Sequence, residues 1–257
     1  MASSFADQID LEERAARAKA LTNKLVDHTR GLLVTAANNE VVLYSDLLSR
    51  QIPRSRAAHA FNEMQRSMHF FMLVRLAALW DKASRDRESI PTVVALIANA
   101  DVMQHFADDT YKYFANEAQP RTITLEPDPE IEKLLKKHWE TDRIVRAERE
   151  SRTVLRWLKF CARITPRVEN SYVAQTLRPF RSTHLAHNLS LGKGDESEPL
   201  KIRYGDEENL LRLSIRIVDR LHLAVNGAGF AWDDARSQAR RNALELWSSC
   251  SFDLPSR

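Results

Sequence analysis

The chain has 257 residues, of which 44% are hydrophobic and 28% charged, and its formal net charge is +3. That length and apolar content suffice to bury a core, in one large unit or two small ones, while the mild charge excludes a globally basic nucleic-acid binder, so any such footprint must be local. Two distant cysteines, Cys161 and Cys250, exclude a disulfide framework and a zinc knuckle; they read as buried thiols of a reducing compartment.

The start, Met1-Ala-Ser-Ser-Phe-Ala-Asp7, has neither the charged nor the apolar region of a secretory signal. No run approaches the roughly 18 uncharged apolar residues of a membrane helix. A cytoplasmic protein with no membrane partner is expected, and residues 1–10 read as a flexible tail. From there, apolar spacing predicts a helix over 11–35, with Leu21, Leu25, Leu32 and Leu33 toward one side and Gly31 weakening its last turn. A second helix is expected over 40–50, stopping at Pro53. A third runs over 55–84 and carries Phe61, Met64, Met68, Phe71, Met72, Leu76, Leu79 and Trp80. Ile90-Pro91 reads as a helix start, since proline suits a first turn. Residues 93–98 read as buried, and 101–114 as a short helix.

Three prolines between 119 and 129 mark the clearest linker, and within it only 121–125 alternates like a strand. The longest helix is expected over 130–164, ended by Pro166. Another is expected over 168–177, broken or kinked at Pro179, because the residue before a proline avoids the helical region. Residues 189–206, with Gly192, Gly194 and Gly205, read as a mobile loop, followed by helices over 207–226 and 233–249. The fold class is therefore all-α: an antiparallel helical bundle with additional peripheral helices. The whole chain, 1–257, reads as one all-helical domain, with a sub-division left open at 119–129.

The densest chemistry lies in Arg178-Pro-Phe-Arg-Ser-Thr-His-Leu-Ala-His187. Five residues separate Arg181 from His187, and five separate Arg178 from His184. An imidazole that exchanges a proton near neutral pH beside a permanent cation is a minimal kit for phosphodiester chemistry. Spacing alone carries little weight among 28 arginines and 8 histidines: Arg54 with His59 and Arg216 with His222 are spaced comparably. Context carries more. The cluster is dense, it follows the expected bend at Pro179, and small Ala186 leaves room beside His187. On an unbroken helix, residues six apart point about 120° from each other and lie about 9 Å apart along the axis, so the pair meets better across a twofold axis. The bland alternative is a pair of satisfied helix histidines with arginines in surface ion pairs.

Upstream, Arg149, Arg152, Arg156, Lys159, Arg163 and Arg167 follow one another at three- and four-residue steps on one helix face. Such a ridge suits an RNA backbone, against the alternative of a solvated face. Arg212, Arg216 and Arg220 repeat the pattern with the same ambiguity. Asp81, after Trp80 at a helix end, suits a carboxylate that orients a catalytic arginine or histidine; the alternative is an ordinary helix-end ion pair. His184 and His187 lack a third ligand of convincing spacing, so no metal and no cofactor are expected.

The segment Phe180-Arg-Ser-Thr-His-Leu-Ala-His-Asn188 resembles the signature of the HEPN superfamily, an all-helical group that includes metal-independent ribonucleases. Phe71-Met-Leu-Val-Arg-Leu-Ala-Ala-Leu-Trp-Asp-Lys82 is similar to the Leu-Trp-Asp helix of its abortive-infection U-type branch. The resemblance implies that Arg181 stabilises a scissile phosphate and that His187 transfers protons around a ribose 2′-hydroxyl, with Arg178, Ser182, His184 and Asp81 in support. It implies a homodimer acting on RNA in phage defence or a toxin system, where an antitoxin protein is a further partner. Ser182 departs from the family's usual Asn, Asp or His after the motif arginine. Two alternatives stand beside this reading: a catalytically silent helical module that binds nucleic acid, a nucleotide or a protein, and a purely structural interaction protein.

Overall fold

The computed structural model describes residues 5–52, 56–118, 129–186 and 205–253, with side chains 182–186 outside the description. Among the described residues there are nine α-helices, one short 3-10 helix and no strand. The helices are α1 Leu11–Tyr44, α2 Asp46–Ser49, α3 Arg56–Leu79, α4 Ile90–Ile97, α5 Ala100–Ala115, α6 Pro129–Glu169, α7 Tyr172–Ala186, α8 Asp206–Asn226 and α9 Trp232–Ser249. The chain is all-α, as expected, and no described helix is long and apolar enough to cross a membrane. The linker 119–128 and its strand-like 121–125 lie outside the described residues, as does most of the loop expected over 189–206.

The second half of the expected tail is ordered. Phe5–Gln8 forms the 3-10 helix with Ala6 fully buried, and the Asp10 side chain caps α1 by accepting from Glu13 N at 2.8 Å. Helix α1 is then continuous where two helices were expected. Asn39 donates toward Met68 O and Met72 Sδ, Asn38 Oδ1 accepts from Trp247 Nε1 at 2.9 Å, and Ala37 and Val41 pack with Ala239 and Ala243. Those contacts on α3 and α9 hold the 36–42 stretch helical against its weak local propensity. Gly31 sits within this helix, and a Cβ there would meet the Arg75 guanidinium at 3.0 Å, so its smallness admits the α3 side chain.

Neither expected proline break occurs. Pro166 lies inside α6 and Pro179 inside α7. Both prolines are exposed, whereas Thr165 and Val168 around the first, and Leu177 and Phe180 around the second, are buried. Core packing on the inner face clamps each helix on both sides of the missing N–H, and the carbonyl left without a donor is on the wet side. Helix α7 accordingly carries residues 178–186 on regular helix instead of at a bend.

One cluster of buried apolar side chains draws on eight of these helices, all but α2, with Leu73, Leu76, Leu79 and Trp80 of the α3 end beside Leu96, Ile97, Leu158, Leu177, Ile217 and Leu221. Helix α1 packs on α3, α8 and α9, while α5 lies along α6. Buried Arg14 fastens α1 to α4 by donating to Leu96 O at 3.0 Å and Ala95 O at 3.2 Å, satisfying carbonyls at a helix end that has no further turn. Trp80 is enclosed, and its Nε1 donates to Ser214 Oγ on α8 at 2.8 Å.

Burial pushes the Cys161 thiol up to about 12, with Arg220 pulling weakly the other way. A thiol held protonated is a poor nucleophile. In a thiol titration of the native protein with a disulfide reagent, partly exposed Cys250 reacts and Cys161 reacts only after denaturant is added. Rapid reaction of two thiols under native conditions contradicts that burial.

Candidate functional site

The site is built where α7 crosses the end of α3. Arg178 and Arg181 are three apart on a continuous helix, so both side chains reach the same neighbour. Arg178 Nε donates to the Trp80 carbonyl at 3.1 Å, and its Nη2 pairs with Glu169 Oε1 at 2.9 Å. Arg181 Nη1 donates to Asp81 Oδ2, which also accepts from Arg87 Nη1 at 2.8 Å. Asp81 and Arg181 are 18% and 22% exposed, whereas Arg87 is half exposed. The Asp81 carbonyl accepts from Ser89 Oγ at 2.9 Å, which ties the turn after α3 to the start of α4.

The two sequence stretches singled out above are thus in direct ion-pair contact across 100 residues of chain. Asp81 is ion-paired with Arg181 and Arg87, a contact that both readings of its helix-end position, an orienting carboxylate and an ordinary ion pair, have in common. Arg87 and Glu169 were not foreseen; the sequence signal for each is only a charge near a helix end. Ser182 and His184 fall on the last two turns of α7, their side chains outside the description, and His187 lies outside the described residues.

The basic ridge divides. Arg149 pairs with Glu150 at 2.9 Å and Arg152 with Glu148 at 2.9 Å, both exposed. Arg156, Lys159 and Arg163 are exposed on the side of α6 opposite buried Val154, Leu158 and Cys161. With Arg152 they line one wall of a cleft of about 660 Å³, whose other wall carries Arg216 and Arg220 of α8. Half-buried Trp157 and Phe160 lie between, with the Arg220 guanidinium 5.7 Å from the Trp157 ring centre and that of Arg216 5.9 Å from Phe160. Placing Arg216 and Arg220 of one basic run opposite the middle of the other required the packing of α6 on α8, while Arg212 lines a different depression.

The comparably spaced pair Arg216 and His222 has a different character. Burial holds the His222 imidazole below its ordinary 6.5, outweighing the opposing pull of Asp219.

A family model, HEPN_AbiU2, described as AbiU2, matches residues 15–246, a span that takes in the Leu-Trp-Asp stretch, the basic ridge and the Arg–His motif. The chain belongs to the AbiU2 family of HEPN domains. No curated protein and no solved structure matches this AbiU2 chain. Within the AbiU2 span, the Arg181 guanidinium is held by one nitrogen to a carboxylate, the geometry of a cation aimed by its neighbour.

Two tests follow from this geometry. In a double-mutant cycle read by urea denaturation, Asp81→Ala and Arg181→Ala couple by about 1 kcal/mol, more than Asp81→Ala with exposed Arg87→Ala. Equal coupling in the two cycles contradicts a dominant Asp81–Arg181 contact. For His222 the folded imidazole is the weaker base. Its contribution to stability is therefore complete above the unfolded value and is lost as pH falls through 6.5 toward the folded one. Urea midpoints measured between about pH 8 and about pH 5 drop less in His222→Gln than in the wild type.

Proposed function

We propose that the protein is a homodimeric, metal-independent endoribonuclease of a phage-defence or toxin system, acting through Arg181 and His187. The observation that supports this most is the Arg181–Asp81 ion pair, which joins the arginine of one motif to the Leu-Trp-Asp end of the other. Membership of the AbiU2 family supports the abortive-infection setting.

In this reading the Arg181 guanidinium, held by Asp81 through Nη1, donates its remaining N–H groups to the non-bridging oxygens of the scissile phosphate. His187 takes the proton of the ribose 2′-hydroxyl, and the 2′-oxygen attacks phosphorus. The bond from phosphorus to the 5′-oxygen breaks, and that oxygen takes up the proton held by the His187 imidazolium, which returns His187 to its neutral form. The products are a 2′,3′-cyclic phosphate and a 5′-hydroxyl end. The cation on Arg181 supplies the charge that a metal would otherwise provide. Residues six apart on a regular helix diverge, and α7 is regular through Ala186, so the reading has Arg181 of one protomer work with His187 of the other.

A second reading, a silent module that binds nucleic acid without cutting it, is favoured by the same ion pair: Asp81 places a negative charge where a phosphate must approach.

Arg181→Ala and His187→Ala each abolish cleavage of unstructured RNA and leave the helical circular-dichroism spectrum unchanged. Mixing the two inactive variants restores activity, because mixed dimers hold one intact Arg181–His187 combination. RNA that wild type leaves intact, in the presence and absence of divalent metal, selects the silent module. Mixed variants that stay inactive while exchanging subunits exclude the shared site.

A further inference from the structure

The cleft between α6 and α8 has an unusual charge balance. Arg156, Lys159, Arg163, Arg216 and Arg220 converge on it, and none of the five has an ion pair with a described carboxylate. A neighbouring depression, which shares Arg216, shows the ordinary arrangement: Arg212 and Arg236 stand there among Asp219, Asp233 and Asp234. Elsewhere Arg146 meets Glu117 at 3.1 Å and Arg240 meets Glu40 at 3.0 Å. Of the five only Arg216 also borders the acidic depression; cations without ion-pair partners facing one another across a cleft repel, and a polyanion between the walls relieves that repulsion.

The cleft also holds rings. Trp157 and Phe160 sit between the two basic rows, each with a guanidinium from α8 over it. Guanidinium planes and aromatic rings are the two surfaces on which unstacked bases lie. A duplex offers phosphates but keeps its base faces to itself, and an acidic protein surface offers carboxylates without flat faces. A single strand offers both.

Position ties the cleft to the proposed centre. Arg163 is six residues before Glu169, roughly 9 Å along the α6 axis and about 120° around it, and Glu169 holds Arg178, one turn from Arg181, so a strand leaving the cleft reaches the centre by passing around α6. We propose that the α6–α8 cleft binds single-stranded RNA, its phosphates between the two rows of cations and its bases against the guanidinium–ring pairs, so that the strand leads toward Arg181. This rests on the ribonuclease reading of Arg181 and assigns Arg216 and Arg220 to substrate positioning.

The test is fluorescence anisotropy of the full-length protein with a labelled single-stranded 2′-O-methyl oligouridylate of about twelve nucleotides, which binds but lacks the attacking hydroxyl. Arg216→Ala/Arg220→Ala and Arg156→Ala/Arg163→Ala, one pair from each wall, each weaken binding tenfold or more. Each flattens the dependence of log affinity on log salt by about 1.4, the change for two lost single-strand phosphate contacts. Phe160→Leu keeps the position apolar but removes the ring, weakens binding and leaves the salt slope alone. Arg241→Ala, an exposed arginine on α9 that lies outside the cleft, binds as wild type does. Wild-type binding by both double variants overturns the proposal. So does equal affinity for a duplex of the same length, or cleft-dependent binding of polyglutamate that exceeds that of RNA. The two proposals fail separately. Cleft-dependent binding of an RNA that is never cut leaves the cleft standing without the nuclease. Arg181-dependent cleavage by variants whose binding is unchanged leaves the nuclease without the cleft.

Discussion

The docking of α7 on the end of α3 is the contact on which the candidate site depends. It combines a buried anchor with charged latches. Trp80 is enclosed in the core and donates to Ser214 on α8, while its carbonyl accepts from Arg178 and the next residue, Asp81, holds Arg181. The turn after α3 thereby fixes two neighbours at once through adjacent residues, α8 through the indole and α7 through a carbonyl and a carboxylate. The apolar part carries the stability, since a buried Trp contributes several times what a partly exposed ion pair does. The polar part carries direction: a guanidinium held by a carboxylate has a fixed plane, which a hydrophobic contact cannot impose.

The same division runs through the long helix α6. Its inner face, with Val154, Leu158 and Cys161, is buried against the core, and the buried thiol is pushed toward inertness. Its outer face carries the cations, and two of them, Arg149 and Arg152, are neutralised by adjacent glutamates. Those further along stand uncompensated opposite α8. Charge passes from paired to unpaired along this one helix, with paired Arg152 and unpaired Arg156, Lys159 and Arg163 all lining the cleft.

Much was legible in the linear pattern. Helical periodicity, scarce glycine and only one short alternating run indicated an all-α chain, and Ile90-Pro91 marked the start of α4 through first-turn chemistry. The errors within the helices had one cause. The break expected near residue 36 and those at Pro166 and Pro179 were judged from local propensity, which costs at most a few kcal/mol and yields to burial on both sides of the weak point. That correction alters the site, because a continuous α7 puts Arg178 and Arg181 on one face and turns residues six apart away from each other.

The sequence by itself determined the helical class, the family-bearing residues and the types of charge available, because periodicity and residue chemistry are local properties. Only the tertiary structure decided which of those charges meet. Asp81 and Arg181 are 100 residues apart, and Arg163 and Arg216 belong to helices with the motif between them. No spacing rule relates such positions. Their proximity follows from how α3, α6, α7 and α8 bury their apolar faces together, and the charged side chains at the margins of that core converge as a consequence.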